Sequence, residues 1–541
     1  MLKQLSGLDT MFLYLEKKRT PLEVSSLQIY DPSTAPGGKV RFKEILATFE
    51  SRLDRAKVFK RKLLEVPFSL DHPYWVEDKD FDIEYHVRHI SLPKPGDWRQ
   101  LMIQISRLQS QHLDRSKPLW EVYMIEGLDN VEGVNKGCFG MFMKMHHATI
   151  DGFSGQELQA AIHDLEPVKI DLSKHVPGSR AAQGEPPGNW GLLARSPVNT
   201  IRKSTKLIYG IATAAPGLIK AGLARRGKPS TEVPKTVFNV GRASANRVID
   251  GRFFDLAEMK EISRSIENTT INDVVLTIIS GAMRKYLKSK GHLPDKSLVT
   301  SCPINIRRDD GKHADHDNMV GVMNVSLCSD IADPIKRMHA IHEATIESKA
   351  MTETIGAGTA TAIPMNLPAP IAKSLLPAVT ELMSRVGVTP FNTLITNVAG
   401  IQKPLYLAGA EMISLMGVLP VVDQLGLLHA VFSYNGRISI AFTACREMLP
   451  DPGFYADCIE ESYNDLRHAI FPVSMGTEKK TPKKKLASGK KLARKAATVT
   501  TGARKATAKK AAVRKRAAKK AVGKKTVAKK TVRKKTTRAT A

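Results

Sequence analysis

Residues 138–152 read CFGMFMKMHHATIDG, a short run of large apolar side chains that stops at two histidines and then at a turn. The run from Cys138 to Met145 is too brief for a typical helix and apolar enough for a largely buried strand, so it predicts a strand ending at His146 and His147. Neighbouring side chains on a strand leave opposite faces of the sheet, so the two imidazoles cannot enter one cavity. One is then structural and the other chemical. Asp151-Gly152 marks a tight turn, and Ser154-Gly155-Gln156-Glu157 has the form of a capping box that opens a helix through LQAAIHDL. Asp151 is thereby folded back toward the strand end, within reach of a histidine or an arginine. A buried neutral imidazole is suited to take the proton of a hydroxyl whose oxygen attacks a carbonyl, and the HHxxxDG spacing points to acyl transfer from a thioester. Two competing readings are a pair of core histidines and a metal site built on His147 and Asp151. Gly152, the β-like run before it and the want of a third ligand argue against the metal.

The formal charge of +29 suggests a nucleic-acid binder until it is located along the chain. From Lys479 onward there are 26 Lys and Arg and no Asp or Glu, which leaves 56 basic against 53 acidic residues before it. The body is nearly neutral and the tail carries the charge. Residues 474–541 contain no aromatic residue and too little apolar surface to fold alone, so they are expected to be disordered. Basic clusters recur every five residues from Lys509-Lys510 to Arg533-Lys534-Lys535, a spacing that would wrap charge round every face of a helix. Residues 479–541 are expected to bind DNA, RNA or anionic lipid by counterion release without stacking on bases, or merely to aid solubility.

Five cysteines, Cys138, Cys302, Cys328, Cys445 and Cys458, are odd in number and lack any CxxC pairing, as in a protein of the reducing cytosol. Asp9 and Glu16 interrupt what would be the apolar core of a signal peptide, so a cytoplasmic protein is expected. Thr205 to Ala224 is the most membrane-like stretch, but Lys206, Lys220, Pro216 and three glycines break it. It reads as an interdomain helix or one lying on a surface, not as a span.

Mixed strand and helix patterns predict an N-terminal domain over 1–183, with strands at 25–31 and 120–128. A connector over 184–235 follows the Gly- and Pro-rich 177–189 segment. Gly222-x4-Gly227-Lys228 within it resembles a P-loop start, but Pro229 stands in the metal-binding position and no strand precedes it, so nucleotide binding is rejected. A second α/β domain is expected over 236–473, with a helix at 272–290, strands at 298–306, 320–327, 392–398 and 437–444, and an amphipathic helix at 454–470.

Together these motifs resemble the bacterial wax ester synthase/diacylglycerol acyltransferase family of coenzyme A-dependent acyltransferases, over about residues 4–470. The resemblance is carried by Leu5-Ser6-Gly7-Leu8-Asp9-Thr10-Met11-Phe12-Leu13, Pro118-Leu119-Trp120, HHxxxDG, Thr270 to Leu276 (TINDVVL), Pro303-Ile304-Asn305-Ile306-Arg307 and Thr396-Asn397-Val398-Ala399-Gly400. The chain departs from the common pattern at Thr396 and Ala399, at Cys302 and Asn305, and in its basic tail. The resemblance implies an α/β fold of two chloramphenicol acetyltransferase-like domains around a central channel. It implies His147 as general base, His146 as its structural partner, and Asp151 as the residue holding the loop, paired with an arginine such as Arg307. Gly152 would admit close backbone approach. Asn272 would help stabilise the oxyanion, although it also reads as part of a helix N-terminus, as does Asp273. Pro118, Leu119 and Trp120 would shape the acyl channel or simply pack. No cofactor and no metal are implied: acyl-CoA is a substrate, and diacylglycerol or a long-chain alcohol attacks it directly. That agrees with the lack of a GxSxG elbow. The implied place of work is the surface of a membrane or lipid inclusion. Two alternatives remain: a condensation-type acyltransferase using carrier-bound chains, separable by activity on free acyl-CoA, and a nucleic-acid-binding protein built on the tail.

Overall fold

A computed structural model describes residues 2–149, 155–168, 188–225, 233–239, 241–305, 320–355, 366–386 and 389–472. The expectations for Asp151, Gly152, Ser154, Arg307 and the basic tail lie outside these residues.

The buried strand is Phe139–His146, and all eight of its residues are buried. It pairs antiparallel with Glu23–Asp31 on one side and Trp120–Glu126 on the other. A central strand covered on both faces has no solvent side, which is why its sequence is mostly apolar instead of alternating, the exception before His146 being Lys144, whose buried ammonium donates to the Leu108 carbonyl at 3.1 Å. The sheet holds six strands in the order Tyr406–Leu407, Ala410–Val418, Glu23–Asp31, Phe139–His146, Trp120–Glu126, Val87–Ser91. A second six-stranded sheet runs Val320–Ser326, Val299–Asn305, Thr393–Val398, Leu427–Tyr434, Arg437–Cys445, Arg247–Asp255. Asn435 and Gly436 join two of its strands with φ of 42° and 79°, the double positive φ that a two-residue hairpin turn requires. Against this sheet pack the helices Ile271–Ser289 and Pro452–Ile470, whose buried faces form one apolar cluster with its strands.

The strands expected at 25–31, 120–128, 298–306, 320–327, 392–398 and 437–444 are all present within two residues. One segment differs in placement. Ala410–Val418, counted with the second domain by its position in the chain, pairs with Glu23–Asp31 in the first sheet. The chain then returns to the second sheet at Leu427–Tyr434, so the two sheets are tied by a crossing strand. The crossing is tight. A Cβ on Gly417 would stand 2.3 Å from the Phe432 ring, a contact only glycine avoids. Leu27 and Phe142 of the first sheet share a core with Ile249 and Ala441 of the second, through Met416 of the crossing strand.

The connector forms one helix, Asn189–Arg225. Leu192 buries against Val66 and Tyr74, while Trp190, Val198, Ile201 and Ile208 are exposed. Among the described residues no helix is long and apolar enough to cross a membrane. All five cysteines are unpaired.

Candidate active site

The strand ends at His146, and His147 opens a single turn of 3-10 helix, His147–Thr149. The two rings therefore diverge because the backbone turns between them, as well as by strand alternation. His146 lies in the core at 1% exposure. Its Nδ1 accepts the Ala148 N–H at 3.1 Å, which leaves Nε2 as the nitrogen that points away from the turn. Nε2 faces Glu16 Oε1 at 3.7 Å. The His146 carbonyl accepts the Thr149 hydroxyl at 2.7 Å, closing the turn from the other side. These contacts make His146 a fixture of the turn that presents His147.

His147 is held by different contacts. Its N–H donates to the Leu22 carbonyl at 3.0 Å. Its ring stacks on Phe12 with centroids 3.7 Å apart and planes 20° from parallel. Burial, and next the neighbouring His146, lower its pKa to about 4, against a partial rise from a hydrogen bond to its own backbone. The ring is neutral at physiological pH and able to accept a proton.

Phe12 comes from the helix Gly7–Leu15, capped by Ser6, whose hydroxyl accepts the Asp9 N–H at 3.1 Å. Glu16 follows at its end. It accepts the Leu22 N–H at 3.2 Å and pairs with Arg115 at 2.5 Å, so Leu22 connects this carboxylate to the His147 backbone. Burial raises the Glu16 pKa, but His146 and Arg115 outweigh it and hold the carboxyl at about 2. Nothing in the sequence marks Phe12 or Glu16 as functional, although Phe12 lies in the family opening and Glu16, with Asp9, breaks the signal-peptide pattern. Glu16, Glu23 and His112 bring potential ligand atoms within 4.8 Å of one another. Arg115 and the buried Lys144 already supply positive charge to this cluster.

Pro118, Leu119 and Trp120 are buried. The Leu119 carbonyl accepts the His146 N–H at 3.0 Å, and its side chain packs with Leu5, Leu13 and Ala148 beneath the turn. Trp120 is fully buried, donates its indole N–H to the Phe59 carbonyl at 2.9 Å and stacks on His86 at 4.5 Å. Its surroundings are those of a packing residue.

In the second half, Thr270 caps the helix Ile271–Ser289. Asp273 Oδ2 accepts both the Thr270 N–H and the Thr270 hydroxyl at 2.8 Å, and lies 3.1 Å from His342 Nδ1. Asp273 is accordingly a capping residue. Asn272 Oδ1 accepts the Asn397 amide at 3.3 Å, which joins TINDVVL to TNVAG. Among the described residues no hydrogen bond links Asn272 or Asp273 to the His147 turn. The sequence order of the motifs held no sign of the Asn272–Asn397 pairing.

Two mixed sheets tied by a crossing strand, each half like a chloramphenicol acetyltransferase subunit, define a coenzyme A-dependent acyltransferase fold. Within that class, the chain belongs to the wax ester synthase/diacylglycerol acyltransferase family. The catalytic-domain model of that family matches residues 5–275 and its C-terminal-domain model residues 316–467. The chain is similar to O-acyltransferase WSD of Acinetobacter baylyi, 32% identical over 83% of this chain and 93% of that protein. It is also similar to the solved wax ester synthase/diacylglycerol acyltransferase from Marinobacter aquaeolei VT8, with a TM-score of 0.62 and 26% identity over 87% of this chain and all of that one. The first condensation domain of the CDA synthetase, at a TM-score of 0.50 and 11% identity over 87% and 96% of the two chains, shares the fold alone. The carrier-dependent alternative thus keeps the architecture without the sequence.

Proposed function

We propose that this chain transfers a long-chain acyl group from acyl-CoA to the free hydroxyl of diacylglycerol or of a long-chain alcohol, with His147 as general base. The observation that carries the reading is the His147 ring itself: neutral, clamped against Phe12, and at the end of the buried strand. His147 takes the acceptor's hydroxyl proton as the oxygen attacks the thioester carbonyl carbon. The tetrahedral intermediate then collapses with cleavage of the C–S bond, and the imidazolium returns its proton to the departing thiolate. An ester and free coenzyme A result, and no covalent acyl-enzyme is required. The state of the thiols supports direct transfer, because burial pushes Cys138 up to about 11 and Cys302 to about 12, leaving both as poor nucleophiles. Asn272, whose amide oxygen is taken by Asn397, would turn its N–H groups to the oxyanion, a contribution of about 3 kcal/mol for a well-aimed donor. Asp151 would hold the loop after His147 with Arg307 as partner, and Gly152 would let the backbone approach.

The acceptors partition into lipid, so the enzyme works at the surface of a membrane or inclusion, and residues 479–541 would add attraction to anionic lipid or DNA. The test is transfer of labelled palmitoyl groups from palmitoyl-CoA by purified full-length protein, to diacylglycerol and to hexadecanol in parallel. Triacylglycerol or wax ester formed in step with free coenzyme A is expected. Activity confined to carrier-bound acyl chains would overturn the reading.

A further inference from the structure

The structure leaves three apolar features exposed on elements that meet at one short turn, Pro67–Ser69. The first is the turn's own tip. Phe68 is 87% exposed and has φ 56°, and Ser69 follows at φ 53°, both in the left-handed region that bulky side chains avoid. Two successive residues in that region hold a phenyl ring out in solvent, an arrangement that folding alone does not favour. The second is the helix Ala369–Val386, where Ile371, Leu375, Val379, Leu382 and Val386 are exposed. At 100° per residue these five fall within about 80° of one another, a continuous apolar stripe turned to solvent. The third is the connector helix, where Trp190, Val198, Ile201 and Ile208 are exposed and likewise span about 80°.

The turn packs against both helices. Lys373 donates to the Ser69 hydroxyl at 2.6 Å, and Asn199 donates to Asp71, just beyond the turn, at 2.6 Å. A surface this apolar calls for a partner. Charge says which kind: the 37-residue connector helix has no Asp or Glu in its sequence, and Arg195 and Arg202 are exposed on it while Lys203 turns inward to Asp71. Position says the same, because the helix Gly7–Leu15, which supplies Phe12 to His147, packs on the His147–Thr149 turn and on the Ala369–Val386 helix. The helix Gly7–Leu15 is therefore the element that stands between the Ala369–Val386 helix and the His147 turn.

We propose that Phe68, the Ala369–Val386 stripe and the cationic connector helix form the face on which this protein docks to an anionic phospholipid surface, with its apolar side chains entering the acyl region. The proposal rests on the acyl-transfer reading for its purpose, since a hydroxyl acceptor dissolved in lipid must reach His147 from that surface. Cationic helices with an apolar stripe lie in the plane of such an interface.

The test is flotation of the full-length chain with phosphatidylcholine vesicles containing phosphatidylglycerol, at low salt and at about 0.5 M salt, where screening falls to about 4 Å and removes most of the contribution of exposed charge. Two double variants, Phe68→Asp with Leu382→Asp and Ile201→Asp with Ile208→Asp, are compared with Leu165→Asp, an exposed apolar residue outside the three elements. The expected result is at least a tenfold loss of binding at high salt in both double variants and none in the control, with thermal unfolding and transfer to a short water-soluble alcohol unchanged. Equal binding by all forms would overturn the proposal. So would binding lost only on removal of residues 473–541, which would assign it to the tail, or a self-association abolished by the variants while vesicle binding persists, which would assign the face to a second copy. Failure of the acyl-transfer reading is seen separately, as absence of product with every acceptor while vesicle binding remains.

Discussion

Replacing Glu16 by Gln removes one charge from the contacts that hold the His147 turn. Glu16 is shielded from solvent at 7% side-chain exposure, pairs with Arg115, faces His146 Nε2 and accepts the Leu22 N–H. Its carboxyl is held at about 2 against an ordinary 4.5, a difference worth about 3 kcal/mol of folding stability at neutral pH. Arg115 is 38% exposed, so solvent screening reduces its share and about 2 kcal/mol is expected. Because the folded pKa lies below the unfolded one, this stability is complete above pH 4.5 and is lost as the pH falls toward 2. Glu16→Gln has no such group, so its deficit relative to wild type, read by urea denaturation, should be about 2 kcal/mol at pH 7 and about half that at pH 3. A deficit that is the same at both pH values, or no deficit at pH 7, would refute the account of the turn.

The pH profile of acyl transfer should be flat around neutrality and fall as pH drops through about 4, where burial places the His147 imidazole and protonation removes the base; a fall near 6.5 would mean that the ring is solvated during turnover. Trp120→Ala should destabilise the fold by about 3–5 kcal/mol in denaturant melts, as expected for a buried indole that loses its packing and its bond to Phe59. Asp273→Asn should cost about 1 kcal/mol of stability through the weakened cap while kcat stays within about twofold. A large loss of kcat in the folded variant would return Asp273 to the chemistry.

The sequence pattern located the strands because covered strands are mostly apolar, as Phe139–His146 is apart from Lys144 and His146, and because so short an apolar run is too brief for a typical helix. The Thr270-x-x-Asp273 spacing likewise reads locally as a cap, and the cap is there. What sequence order could not disclose was partnership across the fold. Ala410–Val418 has the period of a strand, but nothing in that period says which sheet will take it. Phe12 meets His147 across 135 positions, and Asn397 meets Asn272 across 125. Such pairings arise when distant segments of one half fold against each other, and local spacing carries no trace of them.

The central claim separates two adjacent histidines by role, and the most direct measurement compares kcat and thermal unfolding of His147→Ala and His146→Ala with palmitoyl-CoA and the preferred acceptor. The account predicts that His147→Ala melts like the wild type and loses at least about 100-fold in kcat, the lower range for a positioned base. His146→Ala should melt earlier and retain part of its activity, because it removes the acceptor of the Ala148 N–H and the partner of Glu16. A His147→Ala protein that stays active, or a His146→Ala protein that folds normally and is dead, would contradict it.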